Sequence, residues 1–128
     1  MTTQAKTMTT QDIANRLVEL CKQGQFHQAH AELFDENAES IEPESAAQMG
    51  WEVKTKGMDN LKKKGEQWNN MVEEFHGISV SDPLVTTNGI TFTTSMDVTM
   101  KGQPRNSMEE ICVYQIRNGK IISEQFFY

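Results

Sequence analysis

Apolar residues recur at helical spacing in the first part of the chain and at strand spacing in the last, with the change near residue 76. Ile13, Ala14, Leu17, Val18, Leu20 and Cys21 make one stripe of a helix. Thr9 or Thr10 can cap its start, Asp12 suits the positive end of the helix dipole, and Gly24 ends it. Phe26, Ala29, His30, Leu33 and Phe34 line a second, shorter helix, broken at Asp35-Glu36-Asn37. A short strand from Ala38 to Glu42 stops at Pro43, and Glu44 to Lys56 lacks a clear period and reads as a loop. Gly57 opens a third helix, along which Met58, Leu61, Gly65, Trp68, Val72 and Phe75 step by three and four. Gly65 in its middle implies a close approach of another backbone.

From His76 onward the period is two. One strand runs from His76 to Val85, with Asp82-Pro83 marking a bulge or an edge. Asn88-Gly89 is a hairpin turn, and Ile90 to Met100 alternates between an apolar face (Ile90, Phe92, Met96, Val98, Met100) and a polar one. Met108 to Ile116 and Lys120 to Tyr128 follow, joined at Asn118-Gly119. Helix, helix, strand, helix and a four-strand meander define an α+β protein with helices on one face of an antiparallel sheet.

Composition narrows the class. The chain has 128 residues, 37% hydrophobic and 23% charged, which suits one folded domain over 11–128 behind a disordered polar leader, 1–10. No apolar run reaches bilayer length and the start lacks a signal-peptide pattern, so a cytoplasmic protein with no membrane partner is expected. A net charge of −6 argues against nucleic acid. The lysines at 54, 56, 62, 63 and 64 read as a solvated helix face or an anion site. Cys21 and Cys112 are far apart without ligand spacing, and the three histidines form no metal motif, so neither a metal nor a cofactor is expected. His30 reads as a core histidine and His27 as exposed.

The two faces of the last strands carry the functional signal. Met108, Glu110, Cys112, Tyr114 and Ile116 share one face with Ile122, Glu124, Phe126 and Tyr128; Ile111, Val113 and Phe127 lie on the other. Carboxylates on an apolar inner face imply a pocket with a polar spot, because buried charges are seldom left unpaired. An apolar outer face implies an interface, and a homodimer through Ile111, Val113 and Phe127 is expected.

The element order resembles the SnoaL-like branch of the nuclear transport factor 2-like superfamily. So do Ile41-Glu42-Pro43, Gly57, Trp68, the stretch Val113-Tyr114-Gln115-Ile116-Arg117-Asn118-Gly119-Lys120-Ile121 and the ending Phe126-Phe127-Tyr128. The resemblance covers nearly the whole chain after about Thr10. It implies a cystatin-like cone, with three helices in the concave face of a curved, mostly antiparallel sheet, a deep pocket and a homodimer. Its members include ketosteroid isomerases, polyketide cyclases, dehydratases and non-enzymatic binding domains. In the isomerase-like members the base is an aspartate before a proline at the end of the first strand, and Glu42 stands in that place. The tyrosine those enzymes carry in the first helix is absent, with Leu17 and Val18 in that region. Their second oxyanion donor, a protonated aspartate in the penultimate strand, falls near Cys112, a weak donor. Steroid isomerisation is therefore not expected.

Three functions remain open: an isomerase, cyclase or dehydratase acting on an apolar carbonyl compound, a non-catalytic binding domain, and a protein-interaction module. For catalysis the candidates are Glu42, Glu110 and Glu124, with structural pairing as the alternative for each. Trp68, His76, Phe92, Cys112, Tyr114, Phe126 and Tyr128 are the candidates for lining a small-molecule site.

Overall fold

The computed structural model describes residues 7–128, so most of the leader expected over 1–10 lies outside the described residues. The last residues of that stretch belong to the fold: Met8 packs on the core and Thr9 caps the first helix. Helix α1 (Thr10–Lys22) opens with a capping box, the Thr9 hydroxyl accepting from Asp12 N at 3.1 Å and Thr9 N donating to the Asp12 carboxylate at 3.2 Å. Helix α2 (Phe26–Leu33) is tied to it by a bidentate ion pair, Arg16 to Glu32, at 2.8 and 2.7 Å.

Strand β1 (Phe34–Ile41) starts where α2 ends, earlier than the pattern suggested. Asp35, Glu36 and Asn37, which read as a break, lie within it. They lie in an irregular stretch of the parallel ladder with the last strand, between the pairs Phe34–Ile121 and Glu39–Ser123. The expected loop contains a 3₁₀ helix (Glu44–Met49) and a short strand β2 (Lys54–Lys56) paired with β1. Helix α3 (Met58–Met71) ends sooner than its apolar period implied. Val72 and Phe75 belong to strand β3 (Val72–Val80), which pairs along β5 (Gly89–Met100), and Phe75 is 42% exposed. Ladder bonds to β5 outcompete about one further helical turn after the poor helix formers Asn69 and Asn70. Nothing lies within 4 Å of a Cβ placed on Gly65, so no close approach explains that glycine.

Pro83, which lacks an N–H, falls in a gap between β3 and the two-residue β4 (Leu84–Val85), where one strand was expected. Strands β6 (Asn106–Arg117) and β7 (Lys120–Phe127) complete a sheet in the order β2-β1-β7-β6-β5-β3, with β4 on β5. All neighbours are antiparallel except β1 and β7. The sheet curves around the helices, and Ile13, Leu17, Leu20, Leu33, Leu61, Val98 and Ile121 fill the space between them.

One bulge decides which side chains of β7 face inward. Gln115 pairs with Ser123 but Ile116 pairs with Ile121, leaving Ile122 as an extra residue. Ile121 and Glu124 are consequently both buried, while Ile122 joins Ser123 and Gln125 on the outer face, not the inner face that strict alternation gave it. The Asn118-Gly119 turn sets this register, with both residues at positive φ (52° and 73°). A Cβ on Gly119 would also collide with the Thr7 methyl. Gly119→Ala is expected to destabilise the protein by about 1 kcal/mol or more. Urea titration measures this, and an unchanged midpoint would show that the turn tolerates an L side chain.

Candidate functional site

The inner surface near the end of β1 gathers polar side chains from four elements. Strand β1 supplies Ser40, and Glu42 follows just beyond its end; β7 supplies Glu124, directly beside Ser40 in the parallel pair. Strand β6 supplies Glu110 and Cys112, and α3 supplies Lys64. The Lys64 ammonium donates to Ser40 Oγ at 2.7 Å, forms an ion pair with Glu42 Oε1 at 2.8 Å, and lies 5.4 Å from the centre of the Phe126 ring. Glu42 is held on its other oxygen by the Tyr128 hydroxyl at 3.0 Å. The side chains of Lys64 and Glu42 are only 16% and 12% exposed, so this ion pair is largely withdrawn from water.

Glu124 is buried still more completely. Burial alone would raise its pKa. The bond from His30 Nε2 at 3.3 Å, the positive charges of His30 and Lys64 and a bond from Ser40 outweigh that and leave it below the ordinary carboxylate value. Since a carboxylate only accepts, Nε2 of His30 carries the hydrogen. His30 is therefore not merely a core residue; it packs edge-on against Phe34 and anchors Glu124.

Glu110 lacks such support. Its one hydrogen bond comes from the Cys112 thiol, long at 3.8 Å. Burial, with the negative charges of Glu42 and Glu124, pushes its pKa up to about 7, against weaker help from Cys112 and Lys64. The Cys112 thiol is itself pushed up by burial and by Glu110. Across the β5–β6 ladder from Glu110 stands Thr94, whose buried hydroxyl has no hydrogen-bond partner.

The remaining candidates divide. Phe126 and Tyr128 border the cluster. Phe92 and Tyr114 stack at 5.4 Å and belong, with Phe34, to the apolar core behind it. Trp68 lies one turn beyond Lys64 on α3 and packs on Trp51, 6.4 Å between ring centres. His76, expected at the pocket mouth, is on the outer face: its ring bonds Thr99 Oγ1 at 2.9 Å and lies 3.8 Å from Glu74. The bulge between Phe75 and Gly77 turns it there. Reading the sequence missed Lys64, Ser40 and Thr94. Lys64 carries a signal, since it is three residues after Leu61 and four before Trp68, inside the apolar stripe.

Among the described residues no group of three or more histidine, cysteine or acidic side chains is placed to hold a metal. No helix is long and apolar enough to cross a membrane.

A curved, mostly antiparallel sheet wrapped on helices is the architecture of the cystatin-like, nuclear transport factor 2-like fold. The SnoaL-like domain family matches residues 8–128, and the chain belongs to that family. It is similar in structure to a Mesorhizobium loti protein provisionally described as a SnoaL-like polyketide cyclase and, in the same description, a carbohydrate phosphatase. That pair share 32% identity over 94% of this chain and 100% of the other, with a TM-score of 0.85. A Xanthomonas campestris protein with a cystatin-like fold is 16% identical, over 94% and 90% of the two chains, with a TM-score of 0.75. A Catenulispora acidiphila protein of ketosteroid isomerase-like fold, solved with trimethylamine, is 16% identical, over 94% and 87%, with a TM-score of 0.71. No curated protein sequence matches the chain significantly.

The raised pKa of Glu110 has a consequence for stability. The native protein holds the Glu110 proton more tightly than the unfolded chain does. That contribution is whole below about pH 4.5, declines as pH rises towards 7, and is gone above it. The shift corresponds to roughly 3 kcal/mol. Wild type should lose stability of that order between pH 5 and pH 8 relative to Glu110→Gln, by urea titration of both proteins. An identical change in both would show that Glu110 titrates as an ordinary carboxylate.

Proposed function

We propose that this protein is a ligand-binding acid–base catalyst of the isomerase or cyclase kind, acting on an apolar compound that carries a carbonyl group. The observation that carries the reading is the unlike treatment of two neighbouring carboxyl groups. Glu42 is paired with an ammonium and a phenol, whereas Glu110, close enough to feel its charge, has no cation bonded to it and is pushed up to about 7. Groups whose surroundings separate their protonation states can serve as base and acid in one site. Glu42 is the base for a proton next to the carbonyl. Glu110 holds a proton near neutral pH and can donate it. Glu124, bonded by His30 and Ser40, positions Ser40 and through it Lys64. Phe126 and Tyr128 offer apolar surface beside the polar groups. The cyclase description of the M. loti protein, whose whole length is covered, supports the same class.

Exchange of carbonyl-adjacent protons for deuterium, followed by NMR over a panel of apolar ketones, tests the reading without knowledge of the product. Wild type should accelerate exchange of at least one ketone, and Glu42→Gln should lose about 100-fold or more of that rate. Undiminished exchange in Glu42→Gln removes Glu42 from the chemistry. Ketones that raise the melting temperature but do not exchange would favour the non-catalytic binding domain.

The proposal includes a homodimer. Ile111, Val113 and Phe127 are 47%, 37% and 47% exposed on the outer face. Beside them runs a groove of about 500 Å³, which includes Ile41, Val113 and Ile122 together with Glu39, Lys56 and Arg117. Apolar residues rimmed by both signs of charge suit a self-complementary contact. Light scattering should give twice the 14.6 kDa chain mass for wild type and the chain mass for the double variant Ile111→Lys, Val113→Lys. A wild-type monomer at micromolar concentration would remove the dimer.

A further inference from the structure

We propose that Lys64 is a catalytic residue, the donor that stabilises negative charge on the ligand's oxygen, and that it does so by exchanging its partner from Glu42 to that oxygen. The inference rests on the proposed carbonyl chemistry and adds to the proton donor Glu110 a permanently charged partner for the oxyanion. Residues 17 and 18, in the helix that carries a donor in related isomerases, are buried Leu and Val. The Cys112 thiol is spent weakly on Glu110, the Tyr128 hydroxyl on Glu42, and Ser40 and His30 on Glu124. Lys64 differs. Of the three hydrogens of the ammonium, one is donated to Ser40 at 2.7 Å, and the charge is paired with Glu42 at 2.8 Å. Its charge is felt by Glu110 and Glu124 as well as Glu42, so it sits among the three carboxylates and beside the Phe126 ring.

The exchange conserves charge. At rest, Glu42 is negative, Lys64 positive and the ligand neutral. When Glu42 takes the proton from the carbon next to the carbonyl, the C–H electron pair becomes the enolate double bond and the negative charge moves to the ligand oxygen. Neutral Glu42 then holds Lys64 less strongly, and the ammonium, still protonated, donates to the enolate oxygen. Returning the proton from Glu42 to carbon reverses both changes. The site therefore contains one close ion pair before and after proton transfer, which matters where burial makes an unpaired charge costly. Ser40 keeps the ammonium in place during the change, because its bond to Lys64 does not involve Glu42.

A phenolate mimics an enolate oxygen, and 4-nitrophenol reports its own ionisation by visible absorbance. Glu42→Gln leaves Lys64 without its bonded carboxylate and imitates neutral Glu42. This variant should bind 4-nitrophenol as the phenolate at a pH where the free compound is mostly neutral. It should bind at least about tenfold more tightly than wild type does. Adding Lys64→Met should abolish the phenolate spectrum, and adding Lys64→Arg should retain it. Lys64→Gln, which keeps a donor towards Ser40, replaces the Met variant if circular dichroism shows that the latter is unfolded. Phenolate bound equally with and without the lysine overturns the proposal, as does failure of Glu42→Gln to bind 4-nitrophenol. None of these measurements needs turnover. A Lys64-dependent phenolate without any deuterium exchange would count against the catalytic reading alone, while Glu42-dependent exchange with Lys64-independent phenolate binding would count against Lys64 alone.

Discussion

One ammonium group organises the interior of this cone. Three carboxylates face the same polar space, and burying them without positive charge would cost more than a protein of this size can spare. Lys64 enters from α3 and bonds both Ser40 and Glu42 of β1. It thereby fixes the helix against the strand and compensates the carboxylate at the strand's end. Because Ser40 stands directly beside Glu124 of β7, the same contact reaches the parallel pair of the sheet. The second compensating group, His30, serves Glu124 from the other side. Together they leave Glu110 as the carboxyl group with the least support, and its raised pKa follows from that distribution as much as from burial.

The fold was legible because its signals are local and repeated. The stripe from Ile13 to Cys21, the Asn118-Gly119 turn and the alternation from Ile90 to Met100 each point to one element, and those elements formed, whereas Gly89 of the other Asn-Gly pair opens β5 and the bend falls one residue earlier. Misreadings arose where a partner distant in sequence decides the outcome. Helix α3 yields to β3 at Val72 because β5 is available to pair with it. Asp35, Glu36 and Asn37 fall within a strand because the chain on either side of them, at Phe34 and from Glu39 to Ile41, pairs with β7. The bulge at Ile122 turns one isoleucine outward, and single-strand alternation has no means of expressing it.

The site was legible in its carboxylates and not in their partners. Glu110 and Glu124 stand out because acidic residues interrupt an apolar strand face, and Glu42 because a proline follows it. Lysine gives no such contrast, since a lysine on a helix normally extends into water. Lys62 and Lys63 do so, and Lys64 beside them does not. Its burial depends on the phase of the helix relative to β1, which is a tertiary property. Ser40 and Thr94 were invisible for a related reason: small hydroxyl residues suit either face of a strand. His76 was misplaced by a bulge, as Ile122 was.

The two faces of the sheet differ in what they present. Strands β6 and β7 point Glu110, Cys112, Tyr114 and Glu124 towards the helices, and Ile111, Val113 and Phe127 away from them. The inner set is polar where it meets Lys64 and apolar where it meets Phe34 and Phe92, so polar groups are confined to one end of the cone. Under the proposed chemistry that confinement would give a ligand a direction, its polar atom towards Glu42, Lys64 and Glu110 and its apolar body against Phe126 and Tyr128. Such orientation serves a proton transfer more than tight binding does, because the acidic carbon must lie beside the base to react.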